Sequence, residues 1–71
     1  MGNKPVYFCN FIGMNRAPGG KTWHMCIEIL EPHKASGKPA GWVGNTSAIL
    51  SMDFERGICV TLNSIYQWRV K

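Results

Sequence analysis

The chain has 71 residues, 45% of them hydrophobic, with eight basic and four acidic side chains for a net charge of +4. That length makes one domain, residues 1–71, burying only about 60% of its unfolded surface. Its composition is too apolar for disorder, and no apolar run approaches the roughly 20 residues that span a bilayer. Gly2-Asn3-Lys4-Pro5 offers no signal-peptide core. Cys9, Cys26 and Cys59 are odd in number and scattered, unlike the paired framework of small secreted domains, so a cytoplasmic chain with reduced thiols is expected.

Lys4–Met14 is dense in β formers (Val6, Tyr7, Phe8, Phe11, Ile12) and predicts a first strand. Asn15–Gly20 is a turn cluster that no regular element tolerates. Lys21–Glu31 alternates, with Trp23, Met25, Ile27 and Ile29 on one face and His24, Cys26 and Glu28 on the other, until Pro32 stops it. A long connection, His33–Asn45, follows with Trp42-Val43 as its only apolar pair. Ala48, Leu50, Met52 and Phe54 then alternate with polar residues. After Glu55-Arg56-Gly57, Ile58, Val60 and Leu62 do the same, which predicts an antiparallel hairpin with one buried face. Tyr66, Trp68 and Val70 outline a short last strand.

No segment carries a 3.6-residue period with a cap, so helix should be near zero. Five short strands in this length point to an all-β, five-stranded antiparallel barrel, because an open sheet would leave two unprotected edges. The tight step through Asn63-Ser64-Ile65 favours an SH3-like barrel; an open twisted meander and an OB-like barrel are the alternatives. In the expected register Cys9 faces Cys26, Phe8 faces Ile27 and Ile12 faces Trp23. The second hairpin pairs Phe54 with Ile58, Met52 with Val60 and Leu50 with Leu62. Leu50, Met52, Phe54, Val60 and Leu62 would then make most of the core.

The motifs that could carry chemistry are thin. Cys9, His24, Cys26 and Cys59 are the only conceivable metal set, and none has the paired spacing that brings two ligands onto one ion, so no metal and no cofactor is expected. Ser47, Ser51 and Ser64 lack a nucleophile elbow, and His24 and His33 lack an orienting carboxylate. Gly19-Gly20-Lys21-Thr22 lacks the first glycine of a phosphate loop and a helix to follow, and reads as a hairpin turn. A non-enzymatic chain is expected.

Binding is the stronger expectation. Arg16, Lys21 and Arg56 should lie at one end of the barrel and Lys34 and Lys38 at the other, with Lys4, Arg69 and Lys71 near them. A mobile loop with Trp42 between two lysines could anchor a partner protein, or stack a base and hold phosphates. Its alternative role is to fold back and plug the barrel end. Because the charge is split between poles, a protein partner is preferred to nucleic acid, and no membrane is expected. Tyr7 and Phe11, with Ile65, are expected to face outward as an apolar patch, which predicts a homo-oligomer.

Thr46-Ser47, Asp53, Gly57, Thr61, Asn63-Ser64 and Tyr66 form a pattern that resembles small phage and mobile-element proteins of the gene-cassette kind. The resemblance covers about a third of the chain and implies a small β fold with no assigned activity. Ser64-Ile65-Tyr66-Gln67 is faintly similar to the Gln-Ile-Tyr run of plasmid-borne trimethoprim-resistant reductases, which are tetrameric SH3-like barrels. Here the Gln stands after the Tyr, which takes away the essential group of that activity.

Overall fold

The computed structural model describes residues 4–34 and 36–70. They form five strands, β1 (Val6–Arg16), β2 (Trp23–Ile29), β3 (Val43–Asp53), β4 (Ile58–Thr61) and β5 (Ile65–Gln67), and no helix. Each strand pairs antiparallel with the next, and β5 closes the ring against β1. An up-and-down path of five strands returns to the first running in the same direction. The closing seam, Val6–Phe8 on Ile65–Gln67, is accordingly parallel, the one departure from an all-antiparallel sheet. The closure removes the open-meander alternative.

The two long strands turn the corners. β1 pairs with β5 up to Phe8 and with β2 from Cys9 onward; β3 pairs with β2 in its first half and with β4 in its second. The register breaks at three places, between Phe11 and Gly13, between His24 and Cys26, and between Ile49 and Ser51. Such bulges let a strand bend sharply enough to serve two sheets.

These bulges also change which residues face inward. On β2 the predicted face is correct, with Met25, Ile27 and Ile29 buried, although Trp23 at its start stands out beside the Arg16 guanidinium, 6.0 Å from the ring centre. On β1 the expected face is inverted. Tyr7 and Cys9 are buried and Phe11 is half-buried, while Val6, Phe8 and Ile12 are exposed. The first hairpin pairs Cys9 with Ile29 and Phe11 with Ile27, so Cys9 and Cys26 are not partners.

In the second hairpin β4 is inverted, while Met52 of β3 packs against the core as expected. Its turn holds the four residues 54–57, so that Asp53 pairs with Ile58 and Met52 with Cys59. A one-residue shift in pairing turns β4 over relative to β3. Cys59 and Thr61 go inside, while Leu50, Phe54 and Leu62, expected in the core, are exposed. One inward row runs across four strands in register: Tyr7, Tyr66, Cys59, Met52. The interior of so small a ring suits Cys and Thr in place of Leu and Phe.

Aromatic groups close both ends. Phe11 stacks on Trp68 at 5.3 Å and meets Phe54 edge-on at 5.8 Å. On the other side Tyr7 stacks on His33 at 4.2 Å, with Tyr66 6.0 Å from the imidazole. Trp42 packs partly against the core from the β2–β3 connection, where Gly44 leaves room for its ring. That connection is folded: His33 N–H donates to Lys38 O, Gly41 N–H to Ile29 O and Ile29 N–H to Trp42 O. No helix among the described residues is long and apolar enough to cross a membrane.

Candidate functional site: a groove beside the parallel seam

The parallel seam is short, and where it ends the chain opens. Past Gln67 the backbone leaves β1 and swings to Gly57, whose carbonyl accepts the Trp68 N–H at 2.9 Å. Past Phe8, β1 pairs with β2 alone. Between the diverging segments lies a groove of about 610 Å³. Its β1 wall carries Phe8, 55% exposed, and Asn10; its other wall carries Gln67, Trp68 and Arg69, with Arg56 beside them.

Charge in the groove has one sign. None of its lining residues is acidic, and it brings Arg56 and Arg69 together. Arg56 lies 3.8 Å from Asp53, but these side chains are 80% and 47% exposed. An ion pair so open to water is worth about 0–1 kcal/mol, which leaves the guanidinium available. Glu31 lies nearby with its carboxylate engaged by the Phe8 N–H at 3.3 Å, and Glu28 accepts from Asn10 at 3.0 Å.

The residues singled out from the sequence fall into three places. Arg56 reaches the groove. Arg16 and Lys21 stay at the β1–β2 tip, where Gly20 N–H closes the turn onto Ala17 O. Lys38 meets Trp42, its ammonium 5.2 Å from the ring centre, at the opposite end; Lys34 is exposed on the same connection. Arg69 does not join that pole as expected but sits with Arg56, because Gly57 draws the C-terminal segment across. Lys4 does lie at the β4–β5 end, donating to Thr61 O at 2.7 Å, and Lys71 lies outside the described residues. Of the three residues expected at an oligomer interface, Tyr7 is buried and Phe11 turns inward under Trp68, which corrects their faces. Ile65 remains on the outer surface between Val6 and Val60.

The groove's use of Phe8, Trp68 and Arg69 was not read from the sequence. The available signal was the turn glycine at 57 followed eleven residues on by an aromatic–basic pair, and nothing local says that the two meet.

Histidine and thiol chemistry is quiet here. His24 hydrogen-bonds Thr46 O at 2.8 Å and Thr22 at 3.1 Å. No group of three or more potential metal ligands forms among the described residues. Burial pushes the Cys9 thiol from its ordinary 9.0 up to about 12, with the neighbouring Cys59 adding to the effect, and burial raises Cys59 as well.

Both thiols must stay protonated in the fold, while the unfolded chain ionises them at the ordinary value. The Cys9 contribution to stability is therefore whole below pH 9.0 and lost as pH climbs toward about 12, and the Cys59 contribution is likewise lost on the alkaline side. The urea midpoint is expected to fall steadily above pH 9.0, and less so in Cys9→Ala measured against its own neutral-pH value. At neutral pH a maleimide should label half-buried Cys26 in the folded chain, and Cys9 and Cys59 only after unfolding. Intact-mass analysis reads both.

No family model, curated protein or solved structure matches the chain.

Proposed function

We propose that the chain is a non-catalytic binding module that takes an extended, acidic segment of a partner protein into the groove between β1 and Trp68-Arg69. The observation that carries this reading is the β1 edge beyond Phe8, which has no strand against it on the groove side and stands beside two available guanidinium groups. An unpaired strand edge offers backbone donors and acceptors at a spacing that an added polypeptide strand matches. Phe8 and Leu30, both about half exposed, supply an apolar contact, and Arg56 and Arg69 favour carboxylates in the same segment.

A polypeptide fits better than a nucleic acid on two counts. Backbone pairing to a strand edge is available only to a peptide, and the basic side chains are spread over three places in place of one track. Such a module would suit the mobile-element class that the C-terminal pattern resembles, its partner a protein of the host or of the element.

Panning a displayed random-peptide library against the chain tests the reading. Enriched peptides should alternate apolar residues with Asp or Glu, and the double variant Arg56→Glu, Arg69→Glu should weaken them by at least about tenfold. Fluorescence anisotropy with a single-stranded oligonucleotide is the opposing arm. Tight binding there that collapses as salt rises, with no acidic peptide enriched, would sink the peptide reading.

A further inference from the structure

On β4 the usual sorting of side chains by polarity runs backwards. Cys59 and Thr61 point inward and are wholly buried, while the larger, more apolar Ile58, Val60 and Leu62 alternate with them on the outside. The neighbouring strands continue the pattern. Register sets Val6 beside Ile65 and Ile65 beside Val60, so one outer row crosses three strands on branched aliphatic side chains alone. At the break in β3, Leu50 stands 56% exposed, as Leu62 does across from it. An antiparallel sheet with one face on the core turns polar residues to water on the other. Contiguous apolar surface of this kind marks a face that a partner covers.

Charge and extent say which partner. The row Val6, Ile65, Val60 ends on Ser51 and holds no charged group. The next row ends on Asp53, which already faces Arg56, and at the other margin Lys4 keeps its ammonium on Thr61 O. The remaining basic side chains lie at the β1–β2 tip, on the β2–β3 connection and in the groove. Two copies that each carry +4 can therefore meet here without setting cation against cation, and a partner chosen by charge would find nothing to answer it. Four strands about 4.8 Å apart, each presenting about five residues at ~3.3 Å, make a face of roughly 300 Å² in plan. That suits the apolar core of a standard interface of about 800 Å² a side, with Ser51, Asn63 and Gln67 available as its polar rim.

We infer that a second copy of the chain covers this face, the two sheets stacked across a two-fold axis that sets the same patch against itself. Of the three residues expected at an oligomer interface, Ile65 alone belongs to it; Val6, Val60, Leu50 and Leu62 take the places of Tyr7 and Phe11. The face lies outside the peptide groove, and either can fail without the other.

Sedimentation of the full chain from about 10 μM to about 0.5 mM tests this, a range in which weak dimers form. The mass should rise from 8.0 kDa toward twice that value. Val60→Glu and Leu62→Glu, each on an outer surface, should weaken association by at least about tenfold while circular dichroism stays that of the parent. Ile12→Glu, at a residue 54% exposed on the other half of β1, should leave it unchanged. A second measurement needs no variant. In the parent chain, a soluble paramagnetic chelate should relax the methyl groups of Val6, Val60, Leu62 and Ile65 less at high concentration than at low, and those of Ile12 equally at both. A monomer at every concentration would overturn the inference, as would association that survives both glutamates or shields Ile12 while leaving Val60 and Ile65 open.

Discussion

Replacing Gly57 by alanine is expected to destabilise the chain by about 2–4 kcal/mol and to abolish partner capture in the groove. Gly57 is buried and has φ 68°, in the left-handed region that a Cβ disfavours. The same Cβ would also run into the Trp68 carbonyl, with Val70 Cγ2 only 2.8 Å away. Backbone cannot yield as a flexible side chain can, so the C-terminal segment must move off the β3–β4 turn. That movement would break the Trp68-to-Gly57 hydrogen bond, unstack Trp68 from Phe11 and separate Arg69 from Arg56. Gly19 provides the control, since it shares φ 68° while a Cβ there meets nothing within 4 Å. Gly19→Ala should therefore show the conformational cost alone, about 1 kcal/mol. Urea unfolding followed by tryptophan fluorescence measures both, and equal losses in the two variants would mean that the close approach at Gly57 does not hold the groove.

The same glycine marks the limit of what could be read from the chain. Strand number, order and the absence of helix followed from period-two patterning and turn residues, and the inward face of β2 followed because only one of its faces is apolar. On β1 both faces are apolar, Val6, Phe8 and Ile12 against Tyr7, Cys9 and Phe11, so hydrophobicity could not choose between them. On β4 the choice turned on whether three or four residues make the β3–β4 turn, a matter of geometry to which composition is blind. Lys38 and Trp42, four residues apart across a turn, were legible as a cluster. Arg56 and Arg69 were not, because they meet through a backbone approach between segments with no pattern in common. The sequence offers His33 no carboxylate; its partners are hydroxyls, those of Tyr66 and Ser64 more than thirty residues away and that of Ser36 three residues on.

Thr61 tests the inverted face of the second hairpin most directly. Its side chain is wholly buried, where its hydroxyl donates to Ser64 O at 2.9 Å and accepts the Ser64 N–H at 3.2 Å. The backbone N–H of Thr61 bonds the same carbonyl, so one residue clamps the whole β4–β5 turn and sets Ser64 and Tyr66 against His33. The run through Thr61, Ser64 and Tyr66 thus has a structural role in a buried turn. Thr61→Val keeps the volume but strands a buried N–H and removes both hydroxyl bonds, which should cost about 2–3 kcal/mol. Thr61→Ser keeps the clamp and loses only a methyl group, for about 1 kcal/mol. Had Thr61 faced water, as its alternation with Ile58, Val60 and Leu62 predicts, the order would reverse: valine, the better strand former, would be neutral or stabilising and serine the worse. Chemical denaturation of the two variants decides between the faces by the order of their midpoints alone.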